Sequence, residues 1–279
     1  MELTAGQFLF LGDYVDRGLL GLEVIAYMFA QKAALPHKIY MLRGNHETRS
    51  VNGDEGWYGQ KSFFYQCKTR FGATLGGEVY EEVNKVFDRL PLAAVIAGDI
   101  FCVHGGIPRP VEGMSEIEAI QAVPKVFDPD ACDDSQHVQV VTDCVWSDPA
   151  TKMQENELDP EGFGESLRGE DAVCFGTPAI DNFLARNELS YILRAHTSLT
   201  EGIDISKGCR VFTIFSTSKD HGGGPEATCG CVLIDSEQLL VINRTANYER
   251  FKAKHKGNLE KMSGDRESPT DETETNLVV

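Results

Sequence analysis

The stretch Phe8-Leu-Phe-Leu-Gly-Asp-Tyr-Val-Asp-Arg-Gly18 is a short apolar run that passes directly into a glycine-bounded polar turn. So short and continuous a run reads as a buried β-strand, and the turn after it as the place where the strand delivers polar side chains. The device recurs. Ile39–Leu42 leads into Arg43-Gly-Asn-His-Glu47, Ile100–Val103 into His104-Gly-Gly106, and Tyr191–Leu193 into Arg194-Ala-His196. Helical patterns fill the intervals, over Leu19–Ala34, Gly59–Phe71, Glu78–Leu90 and Pro178–Leu189, the last with a proline suited to a first helical turn. Strands alternating with helices predict a layered α/β fold. Three late runs, Val211–Phe215, Cys231–Ile234 and Leu239–Ile242, have no helix between them and predict an antiparallel sheet facing the first. The expected architecture is two sheets flanked by helices.

Four strand ends therefore present Asp13, Asn45, His104 and His196. Loops at strand ends are where open α/β sheets hold ligands, because a rigid scaffold fixes side chains there without burying loop backbone. A carboxylate, a neutral amide carbonyl and two imidazoles make a donor set that suits Mn, Fe or Zn better than calcium. Taken singly each residue has a plainer reading, Asp13 and Asn45 as turn-formers and the two histidines as satisfied core residues. Their recurrence at equivalent places in one repeated device favours the metal.

Gly12-Asp-Tyr-Val-Asp-Arg-Gly18, Gly44-Asn-His-Glu47 and His104-Gly-Gly106 resemble the signatures of the phosphoprotein phosphatase family, which includes calcineurin. The resemblance continues in family order through Trp146-Ser-Asp-Pro149, Arg168-Gly169, Phe175-Gly176, Arg194-Ala-His196 and Phe215-Ser216, and covers roughly residues 7–250. It implies an α/β fold of the calcineurin-like metallophosphoesterase type, a β-sandwich flanked by helices, and metal-dependent hydrolysis of phosphoserine and phosphothreonine in proteins. By resemblance Asp13 bridges two divalent or transition metal ions and Asn45, His104 and His196 complete one of the two sites. His46, positioned by Asp16, protonates the leaving alkoxide, and Arg17 and Arg168 grip the phosphate. These roles suit the chemistry: a phosphate monoester is a dianion whose transition state stays anionic, and an alkoxide leaves more readily when protonated.

The sequence departs from the family pattern twice. The family supplies the remaining Asp and His ligands from a Gly-Asp-x-His-Gly segment upstream of Gly12, and residues 1–11 contain no match. The chain is thus expected to be N-terminally truncated, to lack the first strand, and to hold one metal alone. After Phe215-Ser216 the family commonly has Pro-Asn-Tyr, whereas this chain has Thr217-Ser-Lys-Asp-His221, where Lys219 or His221 is a candidate phosphate contact. Two other functions remain open on these residues: a catalytically dead binding module, and a phosphoesterase acting on small molecules such as dinucleotide polyphosphates.

Composition sets the outer limits. With 42% hydrophobic and 25% charged residues, a chain of 279 is long enough for one large domain, expected over 1–250. Residues 251–279 lose their aromatics after Phe251 and are expected to form a disordered polar tail. A formal charge of −17 argues against nucleic acid, and the thirteen acidic residues between Asp128 and Asp171 read as a solvated surface. No run approaches a membrane span, no leader pattern precedes Phe8, and eight scattered cysteines read as reduced core thiols. The expected setting is the cytoplasm or nucleus, with a phosphoprotein substrate, room for a regulatory subunit, and neither membrane nor nucleic acid as partner.

Overall fold

The computed structural model describes residues 6–169, 171–217, 228–245 and 275–276. In chain order the elements are β1 (Phe8–Phe10), α1 (Gly21–Ala34), β2 (Ile39–Met41), α2 (Arg49–Asn52), α3 (Glu55–Tyr58), α4 (Phe63–Phe71), α5 (Ala73–Phe87), β3 (Ala93–Ile96) and β4 (Ile100–Val103). They continue with α6 (Glu116–Ala122), α7 (Ser135–Trp146), β5 (Asp148–Pro149), β6 (Phe163–Glu165), β7 (Val173–Phe175), α8 (Thr177–Arg186) and β8 (Tyr191–Arg194). Last come β9 (Ile203–Ser206), β10 (Val211–Ile214), β11 (Thr228–Ile234), β12 (Leu239–Thr245) and β13 (Thr275–Asn276).

One sheet has the order β13-β3-β4-β8-β10-β9, with β4, β8 and β10 parallel and the outer strands antiparallel. Its central strands Ile-Phe-Cys-Val and Val-Phe-Thr-Ile are buried at every position, as strands covered on both faces must be. On one face Phe101, Val103, Ile192 and Val211 pack against Val140 and Cys144 of α7 and Ile180 and Phe183 of α8. On the other, Cys102, Leu193 and Phe212 meet Leu9, Leu11 and Leu42 from the parallel pair β1–β2, together with Val232, Ile234, Leu239 and Val241 of the β11–β12 hairpin. The far side of β1–β2 buries Ile39 and Met41 against Met28 of α1. The result is helix, sheet, sheet, helix: a β-sandwich flanked by helices.

Two expectations need correction. Val211–Ile214 is not part of a second sheet but lies between β8 and β9 in the first; its parallel pairing with β8 needs no intervening helix, because antiparallel β9 supplies the return. Helices also shift. The segment read as one helix over Gly59–Phe71 is a single 3₁₀ turn, Gly59–Lys61, followed by α4, whose start is set by Ser62 accepting the Tyr65 amide. The helix expected over Glu78–Leu90 begins earlier, at Ala73.

The acidic stretch is not uniformly solvated. Asp143 is fully buried on α7, where Arg109 grips it with Nε and Nη2 and donates its backbone N–H as well. Asp148 turns inward to the site described below. Of the eight cysteines, all free, Cys209 and Cys231 are exposed rather than core. Lys219, His221 and most of the segment 251–279 lie outside the described residues; Thr275–Asn276 pair with the edge of β3.

Candidate metal and phosphate site

The carboxyl ends of β1, β2, β4 and β8 converge at the seam between the two sheets, and each expected side chain sits just beyond its strand. The His104 imidazole lies with Nε2 3.2 Å from Asp13 Oδ1 and 3.2 Å from Asn45 Oδ1. His196 Nδ1 is 2.9 Å from the same Asn45 oxygen. Asp13, His104 and His196 can each point one ligand atom into a common space, and Asn45 lies between them.

His104 Nδ1 is 2.6 Å from the Leu11 carbonyl, which can only accept, so Nδ1 carries a proton. Its Nε2 lies 3.2 Å from a carboxylate oxygen and from an amide oxygen, and His196 Nδ1 is 2.9 Å from the same amide oxygen, so a nitrogen and oxygen donor set that suits a divalent cation is gathered in one place. Among the described residues Asn45 Nδ2, His46 Nε2 and His196 Nε2 are buried without a hydrogen-bond partner.

His46 stands beside this cluster. Its Nδ1 is 2.7 Å from Asp16 Oδ2, and Asp16 Oδ1 accepts the Phe63 amide at the first turn of α4, so the carboxylate is held at both oxygens. Burial opposes charge on the imidazole, but Asp13 and Asp16 outweigh it and raise the His46 pKa above the ordinary value. Burial acts on Asp13 the other way, yet the surrounding histidines hold its carboxyl well below the usual range. The Arg17 guanidinium reaches to 3.9 Å from Asp13 Oδ2. Arg168 Nε donates to Asp148 Oδ2 at 2.7 Å and its Nη2 to the His196 carbonyl at 3.4 Å. The structure thus brings together Asp13, Asp16, Arg17, Asn45, His46, His104, Arg168 and His196.

Local backbone is strained to do this. Asp13, Asp16, Arg17 and His196 all have left-handed φ, between 56° and 64°, where residues with a side chain are uncommon. Glu47 holds the two β1 and β2 loops in place: its Oε2 accepts the amides of Asp13 and Gly44 and its Oε1 that of Tyr14, all at 2.8 Å. The loops abut so closely that a methyl group on Gly44 would lie 2.5 Å from Asp13 Oδ1. Arg43, also fully buried, bonds the carbonyls of Glu47 and Phe127.

Sequence reasoning missed two participants. Tyr58 places its ring edge-on to His46 at 5.3 Å; its helix is four residues long and no motif marked it. Asp148 stood in a quoted signature without a role. Besides Arg168 it binds Arg194 Nη2 at 2.7 Å and Thr197 Oγ1 at 2.8 Å. Burial disfavours its charge, but Arg194 and the Arg168 hydrogen bond prevail, so its pKa falls far below the usual carboxylate range. A depressed acid stabilises the fold above its unfolded pKa of about 3.9, and that contribution is lost as pH drops through the folded value. Asp148→Asn is therefore expected to cost about 2–3 kcal/mol at pH 7, read from urea midpoints, and progressively less below about pH 4. An equal cost at both pH values would contradict the assignment.

A layered α/β fold with these side chains at its strand ends is the build of a metallophosphoesterase. The sequence model of the calcineurin-like phosphoesterases matches residues 4–198, and the chain belongs to that family. It is 34% identical over 241 residues to serine/threonine-protein phosphatase BSL2 of Arabidopsis thaliana, a match covering 86% of this chain and 22% of the relative. The chain thus spans about a fifth of that relative's length. Among solved structures, a Saccharomyces cerevisiae protein serine/threonine phosphatase with similarity to human phosphatase PP5 shares the fold at TM-score 0.66 and 24% identity, over 86% of this chain and 70% of that one. A cold-active protein tyrosine phosphatase aligns at TM-score 0.50 and 19% identity, over 86% and 68%. No described helix is long and apolar enough to cross a membrane.

Proposed function

We propose that this chain is a metal-dependent protein serine/threonine phosphatase in which Asp13, Asn45, His104 and His196 hold a Mn, Fe or Zn ion. The observation that carries the reading is the gathering of Asp13 Oδ1 and Asn45 Oδ1 within 3.2 Å of His104 Nε2, with His196 on the same amide oxygen, beside a histidine–aspartate pair and two guanidinium groups. When bound, the metal supplies an acidified water and polarises a phosphoryl oxygen. Arg17 and Arg168 take the phosphate's equatorial oxygens, Arg168 presented in a fixed pose by Asp148. His46, kept protonated by Asp16 and Asp13, gives its Nε2 proton to the leaving serine or threonine oxygen. Tyr58 covers one edge of the imidazole.

The substrate class rests on the relative named as a serine/threonine phosphatase and on the Trp146–Pro149 signature. Eight free cysteines support a reducing compartment, the cytoplasm or nucleus. In Mn²⁺ buffer, His46→Gln is expected to lower kcat on a phosphoserine peptide by about 10²–10⁴-fold with KM little changed, since a general acid acts in the transition state. Unchanged kcat would remove His46 from the chemistry. Faster turnover of a dinucleotide polyphosphate than of the peptide would move the enzyme to small-molecule substrates.

A further inference from the structure

We propose that a cleft walled in part by Asp148 is a specificity subsite that takes an uncharged, apolar side chain flanking the phosphorylated residue of the substrate, a role that rests on the phosphatase reading above. The cleft has a volume of about 370 Å³, in the range of clefts that hold ligands. It opens between the small sheet β5-β7-β6 and strands β9 and β10 of the main sheet. Pro149, Ala150, Leu167, Cys174, Leu199 and Thr213 give it its apolar surface. Charged groups reach it too, but the buried ones are already matched. Arg194, fully buried, donates to Asp148 Oδ1, to Thr197 and to the Gly105 and Ser147 carbonyls. Lys207, with a side chain only 9% exposed, donates to the Ala150 carbonyl and to Glu155. A charged guest would have to draw one member of these pairs away and strand the other, which is costly where water is scarce. Asp204 stands at the rim in water, where a charge attracts little. The guest such walls favour is apolar.

Its position ties the cleft to the substrate. Asp148 is shared: Oδ1 faces Arg194 within the cleft, and Oδ2 accepts from Nε of Arg168, the group assigned to the phosphate. A peptide whose phosphate is gripped by Arg168 therefore has the cleft within reach of a few residues, at about 3.3 Å of extended chain for each. Leu167 precedes Arg168 in the chain, lines the cleft and is 89% exposed, so an entering side chain finds an apolar lip next to the phosphate grip.

Equilibrium binding tests this without turnover. Fluorescent alanine-rich peptides bearing the non-hydrolysable phosphonate analogue of phosphoserine carry one Leu or Phe, walked through the three positions on each side, and anisotropy with the whole chain in Mn²⁺ buffer gives Kd. One position is expected to bind about tenfold tighter than the all-alanine peptide, the low end of what burying such a side chain yields, whereas Lys or Glu there brings no gain. Ser206→Trp fills the cleft from the outermost strand and Leu167→Ser trims its lip. Each should remove most of the gain while leaving thermal unfolding and the all-alanine Kd in place. Equal affinity for every peptide overturns the subsite, as does a preference that both variants leave intact. An unphosphorylated Leu peptide that binds as tightly as its phosphonate form also overturns it, since the cleft would then serve a docking partner. Aryl phosphate hydrolysis in the same buffer reports separately on the catalytic reading: turnover without any peptide preference sinks the subsite alone, and a peptide preference without turnover sinks the catalytic reading alone.

Discussion

Asp13→Asn is expected to weaken Mn²⁺ binding by more than about 100-fold and to remove metal-dependent hydrolysis with it, because the variant strips the donor set of its only anion. Asn45 offers a neutral carbonyl, and His104 and His196 offer imidazole nitrogens. The dication would then meet dipoles alone in a largely buried pocket, where uncompensated charge is most costly. Titration calorimetry with Mn²⁺ reads the effect directly, and circular dichroism checks that the fold survives. Retained affinity would mean that Asp13 is not a ligand.

The largest effect on stability is expected at Glu47. Alanine there orphans the amides of Asp13, Tyr14 and Gly44 inside a site whose carboxylate is fully buried, and the loss should reach about 3–5 kcal/mol in urea unfolding. Glutamine is a poor rescue. It keeps one acceptor oxygen but turns an amide donor toward backbone N–H groups, so it should recover less than half of the loss. A Glu47→Ala protein as stable as the parent would show that the two loops hold each other without it.

Both predictions depend on residues that were legible in the sequence to different degrees. Asp13, Asn45, His104 and His196 could be found because each follows an apolar run, and a run of that kind can end only where the strand leaves the core. Glu47 was visible as part of a signature, but its task was not, since nothing in the spacing says that its oxygens fold back onto amides more than thirty residues away. Tyr58 reaches His46 through the packing of short helices after β2, a tertiary outcome without a periodic trace. The same holds for sheet order. Ala93–Ile96 is a strand of the main sheet that the run patterns assign to no element, and the two-residue strand Asp148–Pro149 is defined only by its partner β7. Charge misled in one place: Asp143 looks like one more surface acid until Arg109 arrives from another segment.

The left-handed conformations at Asp13, Asp16, Arg17 and His196 set this protein's durability against its usefulness. Glycine at Arg17 would relax the backbone, and a selection for heat resistance alone would favour that exchange, discarding the guanidinium beside Asp13 in return for a quieter loop. Lineages that keep the guanidinium must then find their robustness elsewhere, in the helices and the sandwich core, where changes do not touch the chemistry.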